Sequence, residues 1–558
     1  MERMSTLDAG FFFVEHRNVP MHLGSLMVFE GPAPAYSDLV DLFVAKLPQV
    51  PRYRQVVRTV PLHVFRPAWA DDENFEIGYH VRHAAVPKPG KARQLRQLAG
   101  RIFAQRLDRD RPLWEVWLLE GIEGGRWALI SKVHHAMVDG IGGTDLMTVM
   151  FDLSPDADRA TPGSWAPEPG PSALSMVVSG ARDTVTWPLR QLADAPGFLQ
   201  SRLRSRADLL RFGRGLGGSA LRLTAPSASS LNGPIGPHRR WAWTTASLSR
   251  VKRIRAALGG TVNDILLAAI TRGFRDLLAE RGELTEGLVV RSLVPISLRR
   301  QDERGVVTNR VSAVLANLPV GEPDPMRRLA LLRGQMDDLK RTRQAVGAEL
   351  LTQMLGFAAP TLLALGSRAA FQLPQPLVQT VTTNVPGPRF PLFVLGRQMV
   401  EAYPYVPIGD NVRISIAIFS YLDRFSFGIT ADYGAAPDLD VLVKGIRRGL
   451  AELQAQSSAA RRAAARPGAN APSPRAGAVP PAGPAPGGAP PPGPARPAYR
   501  RRQPAARPPD PAPRGRACEP VVAAVVMSSV RGWVGSHAPH AGPGGRRRRL
   551  GPGGAHGS

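Results

Sequence analysis

The sequence predicts an α/β protein built as two mixed helix-and-sheet units, joined by a long crossover and followed by a disordered tail. Three observations carry this. Strand-like alternation and helix-like periodicity interleave over residues 1–155 and again over 237–456. Between them, over 156–236, the composition turns to Pro, Gly, Ser and Arg. It turns again at 457, beyond which 21 prolines and 16 glycines leave few large apolar groups before Val521. Such a tail cannot bury enough surface to offset chain entropy.

In the first unit, LGSLMVFEG (23–31) and RWALISKVHH (126–135) alternate as strands. KARQLRQLAGRIFAQRLDRD (91–110) places Leu95, Leu98, Ile102 and Leu107 near helical spacing. The crossover holds FLQSRLRSRADLLRFGRGL, a basic amphipathic stretch expected to pack partly on the body, with a seat on anionic lipid as the rival reading. In the second unit, WAWTTASLS (241–249) and GLVVRSLVPISL (287–298) read as strands. Residues 248–282 read as two helices broken at Gly259 and Gly260, and 412–434 as a hairpin turning at Leu422, Asp423 and Arg424. Residues 350–367 carry no charge, but Gln353, Pro360 and two threonines favour a buried or interfacial helix over a membrane span.

The formal charge is +26, of which +14 falls in the tail, where 16 arginines meet only Asp510 and Glu519. The body therefore stays basic. That favours anionic partners such as phosphates, coenzyme A, nucleic acid or acidic membranes, against the plain alternative of a solvated basic face. The single cysteine, Cys518, allows no intrachain disulfide framework and fits a reducing cytoplasm. The start, MERMSTLDAGFFFVEH, lacks the charge pattern and apolar run of a secretory signal.

Residues 132–143 read KVHHAMVDGIGG. Strand alternation puts Trp127, Leu129, Ser131 and Val133 on one side and Ala128, Ile130, Lys132 and His134 on the other, so His135 points away from His134. The chain then leaves through AMVDG toward a helix expected near 142–144. Imidazole accepts a proton at neutral pH once its tautomer is fixed. One histidine would thus be a base, while the other and Asp139 hold the loop and Gly140 supplies a backbone angle that other residues avoid. A surface loop with incidental histidines is the plain alternative. Catalytic zinc takes three protein ligands. There is no HExxH and no cysteine pair, and oppositely directed histidines chelate poorly, so no metal is expected. No G-x-S-x-G supplies a serine nucleophile. GRGLGG (213–218) follows a basic helical pattern rather than a strand, so it is not read as a nucleotide fingerprint.

HHAMVDG resembles the HHxxxDG motif of the acyltransferase superfamily that includes chloramphenicol acetyltransferase and peptide-synthetase condensation domains. Further stretches narrow the resemblance: MSTLDAGFFFVEHRNVPMHLGSL (4–26), LDRDRPLWEVWLLEG (107–121), VNDILLAA (262–269), VPISLR (294–299), TNRVSAVLANLP (308–319), NVPGP (384–388) and SYLDRFSFGITADYGAAPDLD (420–440). In this order they look like the signatures of bacterial wax ester synthase/diacylglycerol acyltransferases, over residues 4 to about 452. Thr308 stands where glycine is usual, and the tail has no counterpart.

The resemblance implies two chloramphenicol-acetyltransferase-like halves with a tunnel between them. It implies transfer of a long acyl chain from acyl-CoA, a substrate rather than a cofactor, to diacylglycerol or a long-chain alcohol. His135 is implied as the general base and His134 as the residue that orients the site. Asp139 and Gly140 are implied as structural, with Arg299 as the cation partner of Asp139. Asn263 and Asp264 match the family's ND pair, whose asparagine amide would donate to the developing oxyanion or shape the pocket. Pro112, Leu113 and Trp114, with Asn384, Pro386 and Gly387, are assigned to fold and tunnel shape. The plain alternatives are a helix cap at VNDIL, a turn at NVPGP and a core strand at PLWEVWLLEG.

The expected setting is the cytoplasm, peripherally at the inner face of the cell membrane or at lipid droplets. No specific nucleic-acid partner is expected, and the sequence does not give the oligomeric state. Arginine dominance suggests high-GC coding of a kind that goes with triacylglycerol storage, which favours diacylglycerol as acceptor. Two other functions stay open: a condensation-type enzyme using carrier-bound acyl groups, and a non-catalytic lipid-surface protein.

Overall fold

Among the described residues, two six-stranded sheets and a small three-stranded one carry the fold. The computed structural model describes residues 2–60, 65–137, 149–157, 165–172, 174–182, 230–297, 311–341 and 378–464. Its first elements are β1 (Glu2–Arg3), α1 (Thr6–Val14), β2 (His22–Phe29), α2 (Tyr36–Lys46), β3 (Gln55–Arg58), β4 (Ala68–Asp71), α3 (Ile77–His80), β5 (Val81–Ala85), α4 (Ala92–Ala104), β6 (Trp114–Ile122) and β7 (Arg126–His134). After residue 230 follow β8 (Arg239–Ser247), α5 (Leu248–Leu258), α6 (Val262–Glu280), β9 (Val290–Ser297), β10 (Val311–Leu318) and α7 (Pro325–Arg341). The last are β11 (Thr380–Val385), β12 (Phe393–Val394), β13 (Arg397–Tyr405), β14 (Ile414–Tyr421), β15 (Arg424–Asp432) and α8 (Leu439–Ala464).

The first large sheet runs β12-β13-β2-β7-β6-β5 and the second runs β10-β9-β11-β14-β15-β8. Period-two alternation sorts β7 as its sequence requires. Trp127, Leu129 and Val133 pack with Leu39, Leu42 and Phe43 of α2. Ala128 and Ile130 pack on the opposite face with Leu95, Ile102 and Phe103 of α4. Each Val, Leu, Ile or Phe among these, once fully buried, contributes roughly 1.5–3 kcal/mol. The second sheet is covered by α6 and α8, whose buried residues form one core with its strands. Gly273, Gly445 and Gly449 let these helices approach closely; a Cβ at Gly273 would sit 2.7 Å from the Ile446 side chain. Gly259 and Gly260, at φ +77° and +82°, break α5 from α6.

The sheets do not follow the order of the chain. β12 and β13 belong by sequence to the second unit yet pair into the first sheet, with β13 antiparallel to β2 from Met399↔Phe29 to Tyr405↔Gly24. Behind β13 lies β15 of the second sheet, where Gly428 faces the Pro404 carbonyl with no room for a side chain. Trp241 and Trp243 of β8 join the α4 face of the first sheet, beside Tyr403 and Tyr405.

Two expectations are corrected. The helix expected over 91–110 ends at Ala104, because Gln105 turns out of it and its carbonyl accepts a hydrogen bond from Lys132 Nζ (2.8 Å). The tail does not begin at 457: α8 continues to Ala464, with Ser457 buried, through the alanine-rich run that precedes Pro467. The rest of the tail, the basic stretch 198–216, the helix expected near 142–144 and the apolar segment 350–367 lie outside the described residues.

The Gly428 contact gives a direct test. Gly428→Ala forces a methyl group into the Pro404 carbonyl, and overpacking of this kind costs about 1–3 kcal/mol. A lowered urea midpoint is expected; an unchanged midpoint would mean the two sheets are not in contact there.

Candidate active site

α1 begins with Ser5 as its cap, accepting the Asp8 N–H (3.1 Å), and presents Phe11 and Phe12 to the end of β7. His134 is the last residue of β7, opposite His22 of β2. Its N–H donates to the Leu113 carbonyl (2.9 Å). His135 opens a single 3-10 turn, His135–Met137, and its N–H donates to the Met21 carbonyl (2.8 Å). The two rings meet neighbouring side chains of α1. Phe11 stacks on His135 with centroids 3.9 Å apart, while Phe12 meets His134 edge-on at 6.1 Å. Phe11 lies in an apolar cluster with Val14, Val19, Met21, Ile235 and Ile408, so His135 sits where the two halves of the chain meet.

His134 is fully buried and committed within the protein. Its Nδ1 accepts the Ala136 N–H (3.0 Å), which leaves the ring proton of the neutral form on Nε2. Nε2 lies 3.5 Å from Glu15 Oε2, an ion-pair distance rather than a tight hydrogen bond. Glu15 also accepts the Met21 N–H (2.9 Å) and lies 3.6 Å from Arg106 Nε. Burial pushes this carboxyl up, but His134, the Met21 N–H and Arg106 outweigh burial and hold it below its usual range.

More polar groups line the same face. Lys132 Nζ lies 3.3 Å from Glu115 Oε2; burial lowers its pKa and Glu115 opposes the fall. His22 stacks on Tyr405 at 5.4 Å. Burial, then the neighbouring Lys132 and His134, hold His22 far below the usual imidazole range, so it is neutral. An open cleft of about 600 Å³, lined by Tyr79, Arg82, Arg106, Arg109 and Glu115, adjoins this cluster.

The other motif residues are distributed as follows. Trp114 of PLW is a core residue: its Nε1 donates to the Tyr53 carbonyl (2.7 Å) and its ring stacks on His80 at 4.6 Å. The Pro112 carbonyl accepts the Trp114 N–H, and Leu113 holds the His134 backbone, so PLW braces the end of β7. Asp264 is engaged in a capping box, its carboxylate accepting the Thr261 N–H (2.7 Å). Asn263 Oδ1 accepts a hydrogen bond from Asn384 Nδ2 (3.4 Å), which brings the ND pair and NVPGP together. The Gly387 N–H donates to Ser420 Oγ (2.9 Å), and a Cβ there would overlap the Ser420 carbonyl. Pro386 is exposed on the turn. Asp139, Gly140 and Arg299 lie outside the described residues. Among the described residues no three His, Cys, Asp or Glu side chains converge as metal ligands.

Sequence reasoning missed Glu15 and His22. The available signal was weak: a carboxylate directly after the FFFV run, and a histidine opening the strand expected at 23–31.

Comparisons with known proteins converge. The wax ester synthase/diacylglycerol acyltransferase catalytic-domain model matches residues 4–266, and the model of the C-terminal domain of the same family matches 307–454. A Mycobacterium tuberculosis (strain ATCC 25618 / H37Rv) protein named as diacylglycerol O-acyltransferase tgs1 is 36% identical over 467 residues, covering 82% of this chain and 96% of that protein. Its namesake tgs2 from the same strain is 30% identical over 462 residues, covering 81% and 99%. Among solved structures, the wax ester synthase/diacylglycerol acyltransferase from Marinobacter aquaeolei VT8 aligns with a TM-score of 0.58 at 25% identity, covering 82% of this chain and all of that one.

The buried histidines predict acid lability. Burial lowers His80 from 6.5 to about 4, with its bond to the Trp114 carbonyl opposing the fall. Unfolding therefore takes up a proton between these values. Stability is full above the unfolded pKa and falls as the pH drops toward 4, by on the order of 3 kcal/mol from this residue. The urea midpoint is expected to be lower at pH 5 than at pH 7, with a smaller drop in His80→Asn. Equal midpoints at both pH values would contradict the neutral, buried state of His80.

Proposed function

The chain belongs to the wax ester synthase/diacylglycerol acyltransferase family, and from that premise we propose that His135 is the base that prepares a lipid hydroxyl for acylation. The protein is an acyl-CoA-dependent O-acyltransferase that makes triacylglycerol from diacylglycerol. In our reading, His135 takes the hydroxyl proton as the oxygen attacks the thioester carbon. The tetrahedral adduct collapses, the C–S bond breaks, and the coenzyme A thiolate leaves with the proton returned by His135. The observation that carries the reading is where the two rings stand. His134 has one nitrogen on a backbone N–H and the other facing a buried carboxylate, whereas His135 stands against Phe11 at the junction of the halves.

Because Asn384 donates to Asn263 Oδ1, the amide hydrogens of Asn263 remain to stabilise the oxyanion. PLW and NVPGP shape the substrate tunnel through the elements they anchor. A long-chain alcohol is the second acceptor, giving wax esters.

We also place the protein peripherally at the anionic inner face of the membrane or at lipid droplets. Three features support this. The chain is strongly basic. Among the described residues no single helix is long and apolar enough to cross a membrane, and the one bent pair that passes by composition, α5 with α6, is largely core. Leu174 and Val178 stand 73% and 60% exposed.

With palmitoyl-CoA and dioleoylglycerol, His135→Ala is expected to lose about 100- to 10,000-fold in turnover while remaining folded. Full turnover by the variant removes His135 as the base. In a parallel assay, dioleoylglycerol is expected to be acylated faster than hexadecanol; the reverse order would make wax ester synthesis the main activity. Flotation with anionic liposomes should weaken in high salt, and salt-independent flotation would count against an electrostatic anchor.

A further inference from the structure

We propose that Glu15 is a positioning residue for acyl transfer: its carboxylate, sealed behind the histidine pair, fixes His134 and the Met21 carbonyl and lends negative charge to the imidazolium that forms on His135. This rests on the reading of His135 as the base.

Three contacts carry it. Glu15 Oε2 accepts the Met21 N–H (2.9 Å), and the Met21 carbonyl accepts the His135 N–H (2.8 Å), so a single residue links the carboxylate to the backbone of the base. The same oxygen faces His134 Nε2 at 3.5 Å. The Glu15 side chain is only 1% exposed. A carboxylate is costly to bury, and an apolar side chain would close the end of α1 without that cost. The charge therefore has a use beyond packing.

The groups around Glu15 are cationic or neutral. His134 and Lys132 come from β7, His22 from β2 and Arg106 from the chain after α4. Arg239 of β8 acts on His22, and Glu115 neutralises Lys132. When His135 gains a proton, this cluster gains a positive charge. Glu15 faces His134 and is joined to the His135 backbone through Met21, and Arg106, with 37% of its side chain exposed beside the cleft, tempers its charge.

Opposite charges can be removed on either side of this arrangement. Glu15→Gln keeps an acceptor oxygen for Met21 and a similar volume but loses the anion. It is expected to lower kcat about 10- to 100-fold, with the KM for palmitoyl-CoA changed by no more than about twofold. The acid limb of its kcat–pH profile should move to lower pH by about half a unit or more, because the base is harder to protonate without the anion. Arg106→Met removes a cation and should move the limb to higher pH. A purely structural Glu15 would lower kcat without moving the limb. An unmoved limb in Glu15→Gln, or shifts of the same sign in both variants, overturns the proposal. If Glu15→Gln does not fold, Arg106→Met decides alone, and a limb that fails to rise overturns it. His135→Ala separates the two readings. If that variant keeps turnover, the base assignment fails. If it is inactive while the limbs of the other two stay in place, only the role of Glu15 fails.

Discussion

β2 is the strand on which the rest of this structure depends. It lies between β7 and β13 and pairs antiparallel with both. Its start places His22 opposite His134, and the residue just before it, Met21, gives its carbonyl to His135 and its N–H to Glu15. A one-residue slip would turn every side chain of β2 to the other face. Gly24 helps prevent it. The Phe103 ring of α4 occupies the space where a Cβ at Gly24 would come within 2.6 Å, so helix and strand pack closely in this register.

The α4-facing side of the first sheet is apolar along Leu26, Val28, Ala128 and Ile130, and then becomes polar at His22, Lys132 and His134. With Glu15 and Glu115 this is a dense set of buried polar groups. Such pairs rarely stabilise a fold more than apolar side chains of the same volume. The acid lability of His22 and His80 adds to the cost. That cost falls at the end of β7, where the histidine pair stands, and not along the apolar stretch that the sheet needs for packing. The placement argues for a chemical use of these charges.

Much of this was legible in the sequence because it follows from local period and turn chemistry. The sides of β7, the break at Gly259 and Gly260, and the β14–β15 hairpin all come from patterns a few residues long. The transfer of β13 to the first sheet was not legible, since pairing with a strand about 370 residues away leaves no trace in periodicity. The early end of α4 depends on Lys132 claiming the Gln105 carbonyl, a tertiary contact. Within the site, HHAMVDG announced itself by composition. Glu15 did not, because a lone carboxylate after FFFV gains meaning only when the fold brings Met21, Arg106 and His134 to it. The ND pair was legible as a motif but divided in role: Asp264 caps α6, and Asn263 meets Asn384.

The exchange of strands decides what the working unit is. The first sheet takes two of its six strands, β12 and β13, from the far half of the chain. The apolar wall behind His135 takes Ile408 from that half as well, and Ile235 from the end of the crossover. Arg239, from β8, reaches back to the Asn18 carbonyl, and His16 lies 3.3 Å from Asp410. A chain cut at the crossover would keep both histidines but lose the strand that borders β2, and with it the restraint on Met21. In the proposed reaction the base must be held while an acyl donor and a lipid alcohol meet in front of it. That restraint comes from strands supplied by both halves, so the acyltransferase site belongs to the whole body and to neither half alone.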